Sequence, residues 1–291
     1  MQVVIHAGAH VTDEDRLISC LLRNQDQLSG IGTHAPSPKS YRKQLRDFFN
    51  EGGGPSEADD IKQQLLKGAE SPSAVERLVI SNHAFFGTPR MAVGSGIFYP
   101  KAQERLDILS QVFAGDKLEL FLAVRNPATL LPALFAKTQY EQITDFLNGV
   151  EPSDFRWSEM IKRLRAQFPE IAITVWCNED THLIWAQVVR EMAGLDPTAT
   201  FEGEHALVES LMTPLGFKRF NEYLEGRPGM TETQKRRVIM AFLDKFVKQD
   251  EIEEELDVPG WTDDLVEKLT EMYDEDSFAM SRISGVNFLA P

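Results

Sequence analysis

The chain has 291 residues, 42% of them hydrophobic and 26% charged, which fits one large globular domain or a domain with a subdomain and excludes a disordered chain. Its net charge of −15 argues against nucleic acid or an anionic membrane as the main partner. Residues 250–276 hold thirteen acids against one base, Lys268, so that stretch carries −12 and leaves only −3 for the rest of the chain.

No run approaches the roughly 18 apolar residues of a membrane span. The opening MQVVIHAG lacks a basic stretch followed by an apolar core, so a cytoplasmic location is expected rather than secretion. Cys20 and Cys177 sit in apolar-patterned segments and are expected as buried, reduced thiols. The acidic run reads as a solvated face around helices, with a docking surface for a basic partner as the alternative.

The first predicted element is a short apolar strand over residues 3–5, ending in the small-residue turn His6-Ala7-Gly8-Ala9-His10. Thr12 is expected to cap a helix, with Asp15 three residues on and Leu17, Ile18, Leu21 and Leu22 along one face. Residues 30–38 read as loop. Residues 39–50 and 58–67 read as helices, parted by a mobile surface break at Gly52-Gly53-Gly54-Pro55. A strand is predicted at Arg77–Ser81 and a helix over 103–113. Residues 118–124, nearly continuous in apolar side chains, suit a central parallel strand.

Pro127 stands at the first turn of a helix expected to run to about Leu147. A helix near 153–167 precedes a fourth strand over 171–177, and Asp180 is expected to cap the helix that ends before Gly194. Strands alternating with helices in this way imply a parallel sheet with helices on both faces, occupying residues 1–196. Residues 197–291 read as a helical subdomain packed on it, with helices over 205–225, 231–249 and 262–283. The last strand candidate is Val286–Leu289.

In such sheets ligands bind at the carboxyl ends of the strands. The groups there are residues 6–15, Ser81-Asn82-His83, Arg125-Asn126-Pro127 and the turn after Cys177. A strand, small-residue turn and helix can cradle phosphate with backbone amides, and an arginine after the third strand supplies a fork for a second phosphate.

These residues resemble the sulfotransferase family, in particular a bacterial branch whose first turn reads like H-x-G-x-H-K-T-G-T-T. The resemblance rests on His6-Ala7-Gly8-Ala9-His10-Val11-Thr12, on Ile80-Ser81 closing the second strand, and on Arg125-Asn126-Pro127, similar to the family's R-D-P element. Tyr273-Asp274-Glu275-Asp276, followed by Arg282-Ile283, is similar to its closing Y-x-x-D helix. The resemblance implies a P-loop-type fold and 3′-phosphoadenosine 5′-phosphosulfate (PAPS) as sulfuryl donor. It also implies that Gly8, His10, Thr12 and Arg125 bind the cofactor or its product, adenosine 3′,5′-bisphosphate.

The departures lie in the same loop. The family's catalytic lysine is Val11 here, its Gly-Thr-Thr is Asp13-Glu14-Asp15, and its 3′-phosphate serine falls on Ala133. A carboxylate about 5 Å from a phosphate repels it by roughly 3 kcal/mol at an effective dielectric near 20. The missing lysine removes a contact worth about 1.5–3 kcal/mol. The same acids favour the helix dipole by about 0.3–1 kcal/mol each. The expected function is therefore a sulfotransferase-like protein with a degenerate loop, binding a small-molecule or protein partner without conventional PAPS-dependent transfer. The alternative is an active sulfotransferase acting on a hydroxyl or amine, with His83 as catalytic base.

Other readings stay open at this point. His6 and His10 with Asp13 or Asp15 form either a divalent-metal site or hydrogen bonds at a strand end, and no metal is assigned. Arg125 meets either a bound phosphate or one of Asp13 to Asp15. Lys39, Arg42, Lys43 and Arg46 form a basic helix face, either solvated or in contact with an anion. Trp176 and Trp185 read as packing residues. Phosphoryl transfer with a metal held by Asp13 to Asp15 ranks last, because G-x-x-x-x-G-K-[ST] is missing.

Overall fold

A computed structural model describes residues 1–52, 54–248 and 258–291. The first strands are β1 (Gln2–His6), β2 (Thr33–His34) and β3 (Arg77–Ser81). A small antiparallel hairpin, β4 (Val93–Gly94) and β5 (Ile97–Phe98), precedes β6 (Lys117–Val124), β7 (Ala172–Cys177) and β8 (Val286–Leu289). Six of these form one sheet in the order β2-β3-β1-β6-β7-β8, every neighbouring pair parallel. The chain is therefore an α/β protein built on a parallel sheet.

Each central strand divides its side chains between two covered faces. Val3, Ile5, Leu78, Ile80, Leu120 and Leu122 enter one core, while Val4, Val79, Phe121, Ala123 and Trp176 enter the other. Burial on both sides is why these strands read as continuous apolar runs rather than alternating ones. Each such aliphatic side chain contributes about 1.5–3 kcal/mol of transfer free energy when fully buried.

The helices up to β7 are α1 (Arg16–Arg23), α2 (Gln25–Ser29), α3 (Pro38–Glu51), α4 (Pro55–Leu66), α5 (Ala102–Val112), α6 (Pro127–Phe135), α7 (Ile143–Phe146) and α8 (Trp157–Gln167). Beyond it come α9 (Thr181–Ala193), α10 (Ala206–Leu211), α11 (Pro214–Glu225), α12 (Glu232–Phe246) and α13 (Asp263–Ser281). α3, α5, α6, α8 and α13 supply residues to the first core, and α1 and α9 to the second.

Residues after 196 divide between two places. α10 to α12 close a small core of Val208, Met212, Phe220 and Ile239 beside α9. α13 crosses back to the first face with Leu269, Tyr273 and Met280, and β8 extends the sheet beside β7, Trp176 facing Leu289. Among the described residues no helix is long and apolar enough to cross a membrane.

Several local expectations change. The stretch 30–38 contains β2, two buried residues paired with Arg77 and Leu78 at the sheet edge. The helix expected over 127–147 breaks after Phe135, where the Thr138 hydroxyl takes the Phe135 carbonyl. The helix expected over 205–225 breaks at Thr213, held extended before Pro214, and Thr213 then caps α11 through the Gly216 amide. On α13 the acids Glu267, Glu271, Asp274 and Glu275 are exposed, a solvated face. The other end of the acidic run, 250–257, and Gly53 of the triple glycine lie outside the described residues.

Candidate functional site

Successive strand connections leave β1 and β6 in opposite directions, so the sheet's switch point lies at the carboxyl ends of these two neighbours. Gly8 turns the chain there with φ +90, and an added Cβ would stand 3.1 Å from the Cα of His83. Glycine thus lets the first loop and the end of β3 touch. The Ala9 amide donates to the Ala123 carbonyl at 2.9 Å, and the His10 amide to the Tyr99 hydroxyl at 3.0 Å. Two amides of the expected phosphate cradle are therefore used inside the fold.

The helix start differs from its prediction. Thr12 does not cap α1; its hydroxyl donates to the Ala9 carbonyl at 2.8 Å. Asp15 holds the cap position in a left-handed conformation, φ 66, and α1 begins at Arg16. The cap is supplied instead from Asp13, whose Oδ1 accepts the Leu17 amide at 2.8 Å. Val11 and Glu14 also have positive φ, 52 and 50, so residues 11–15 form an irregular coil before the helix.

Asp15 points the other way, to Arg42 of α3. Arg42 Nη1 and Nη2 donate to its two carboxylate oxygens at 2.7 and 2.6 Å. The same guanidinium donates through Nε and Nη2 to the Ser81 carbonyl, which also accepts the Tyr41 hydroxyl at 2.8 Å. Ser81 Oγ meets His6 Nδ1 at 2.8 Å. One guanidinium therefore ties the loop after β1 to the end of β3. The carboxylate of Asp15 sits in the fork as a built-in anion, and Arg42 holds its pKa below the usual range.

Between the loop and the end of β7 lies a cavity of about 270 Å³, lined by Thr12, Asp13, Trp176, Glu179, His182 and Trp185 among others. Burial raises the Asp13 carboxyl to about 6, against the Leu17 amide, which favours the charged form. Glu179 is also raised by burial, although it accepts the Asn126 amide at 2.8 Å and the Tyr273 hydroxyl at 2.9 Å. Burial lowers His182. His6 and His10, 1% and 2% exposed, are lowered to about 3 by burial first, and so stay neutral at pH 7. Among the described residues the Nε2 atom of His6 has no hydrogen-bond partner. The cavity joins two carboxyls and a neutral imidazole, a set suited to holding polar or cationic groups and moving protons.

The five predicted site residues fall around this point. His83 keeps part of its surface in solvent while its ring packs 5.3 Å from that of His10, and this partial burial, then Arg42, lowers its pKa. Gly8, His10 and His83 thus lie against one another but do not line the cavity, which of the predicted residues only Thr12 reaches. Arg125 lies across the loop. Among its contacts are the Val11 carbonyl at 2.6 Å and the Thr129 hydroxyl at 2.9 Å. The Asp15 partner considered for Arg125 belongs to Arg42 instead, because α3 reaches over the loop. Among the described residues no cluster of three or more His, Cys, Asp or Glu side chains is placed to hold a metal ion.

Sequence reasoning left Arg42 open between solvent and an anion without pairing it with Asp15, and it missed Tyr99, which fixes His10 from 89 residues away. Neither has a local signature. Glu179 sat within the turn flagged after Cys177, and Tyr273 within the Y-x-x-D similarity. The Tyr273 hydroxyl donates to Glu179 at 2.9 Å and lies 3.2 Å from the Val124 carbonyl, while Asp276 accepts the Trp157 and Ser158 amides at 2.7 and 3.2 Å. That helix therefore clamps the end of β6 and caps α8. No protein-family model, curated protein or solved structure matches the chain.

Proposed function

We propose that the chain is a sulfotransferase-like protein whose first loop has lost PAPS, and that it binds a small polar molecule at the carboxyl end of its sheet without transferring a sulfuryl group. The observation that carries this reading is the Asp15–Arg42 fork, an internal carboxylate on a cation at the loop where the resemblance expects a phosphosulfate. The engaged amides of Ala9 and His10 and the apolar Val11 support it in the same direction. The family assignment is an analogy drawn from motif order and sheet type.

Calorimetry of the intact chain with adenosine 3′,5′-bisphosphate tests it, and no heat of binding is expected up to about 1 mM, a limit near 4 kcal/mol of binding free energy. Micromolar binding that disappears in Arg125→Ala overturns the reading. That outcome supports the second one, an active transferase with His83 as base. Its specific support is the His83 imidazole, partly open to solvent beside Gly8 and kept neutral, and so able to accept a hydroxyl proton.

A further inference from the structure

The break in the helix expected over 127–147 builds a second concave surface. Residues 137–140, between α6 and α7, face Arg90 across a cleft of about 350 Å³. Its lining residues are Arg90, Lys137, Thr138, Gln139 and Tyr140, with no carboxylate among them; the Thr138 hydroxyl is spent on the Phe135 carbonyl, and the other four side chains carry hydrogen-bond donors. The Arg90 guanidinium stands 5.7 Å from the centre of the Tyr140 ring. Arg90 and Lys137 are exposed, and neither enters an ion pair with any described residue, in a chain of net charge −15.

We propose that this cleft binds a small organic oxyanion, a phosphate or sulfate monoester, with its head between Arg90 and Lys137 and its body along Tyr140. A guanidinium offers two parallel N–H groups to two oxygens, and an ammonium satisfies a third as a point charge. The tyrosine ring, already faced by Arg90, supplies the apolar surface that an inorganic ion would leave uncovered. The site lies apart from the Asp15–Arg42 fork and does not depend on the fate of PAPS.

The full chain is titrated with phenyl phosphate, phenyl sulfate and inorganic phosphate in low salt, followed by calorimetry and amide NMR shifts. One-to-one binding of an ester below about 1 mM is expected, weaker for the inorganic ion, with shifts centred on residues 88–91 and 137–140. Phosphate and sulfate esters identify by their relative affinities which head the cleft prefers. Arg90→Ala and Lys137→Ala should each weaken binding about fivefold or more, while Lys39→Ala/Lys43→Ala on α3 leaves it unchanged. Both cleft residues are exposed, so the variants are expected to melt with the parent. Ester binding that is absent, equal in the cleft variants, or no tighter than that of inorganic phosphate overturns the proposal.

Discussion

The carboxylate of Asp15 lies 2.6 and 2.7 Å from the two terminal nitrogens of Arg42, joining a loop after the first strand to a helix 27 residues later in the chain. Asp15→Asn removes the charge and keeps the shape. Because the pair is partly exposed, a loss of about 1 kcal/mol is expected at pH 7. The folded carboxyl has a depressed pKa, so its contribution is present above the unfolded value and is lost as pH falls through the folded one. Thermal melts of parent and variant should therefore converge in strong acid. A gap that persists unchanged at pH 2 contradicts this account.

Asp13 has the opposite sign. Its folded pKa of about 6 lies above the unfolded value, so its stabilising contribution is complete below about 4 and is lost as pH rises through 6. Asp13→Asn keeps an oxygen for the Leu17 amide and removes the buried charge. Relative to the parent it should gain about 1–3 kcal/mol between pH 4 and pH 7. His6 and His10, lowered by burial, work against acid stability in both proteins, so the difference between the two urea-denaturation curves isolates Asp13.

Asp276 is 6% exposed and accepts two amides at the first turn of α8. Asp276→Ala leaves both amides buried without an acceptor and should cost about 2–4 kcal/mol, with Asp276→Asn costing less. Urea midpoints at constant slope measure it. An alanine variant as stable as the parent refutes the capping role.

Gly8 tests the touching of loop and strand. Gly8→Ala must hold φ +90 and place a Cβ 3.1 Å from His83 Cα and 3.2 Å from the His10 amide nitrogen. A loss of about 1–3 kcal/mol is expected, together with displaced ring resonances of His10 and His83 in NMR. Ring resonances unchanged from the parent would show that the contact tolerates the methyl.

The α/β class, four of the six sheet strands in near-final bounds and the strand candidate Val286–Leu289 followed from the sequence, because burial on both faces writes a continuous apolar run into each strand. Gly8, Arg125 and the turn holding Glu179 were also placed by chain order, since a parallel sheet sends every such turn to one edge. Helix ends were less legible. Thr12 has the chemistry of a cap, yet three residues with positive φ move the helix start to Arg16, and that backbone path is set by contacts with Ala123 and Tyr99. What tertiary structure alone decided is pairing: Arg42 with Asp15, Tyr99 with His10, Tyr273 with Glu179, and Arg90 across from Lys137. A hydrogen bond depends on distance in space, and residues 27 to 94 apart acquire that distance only when the sheet has been assembled.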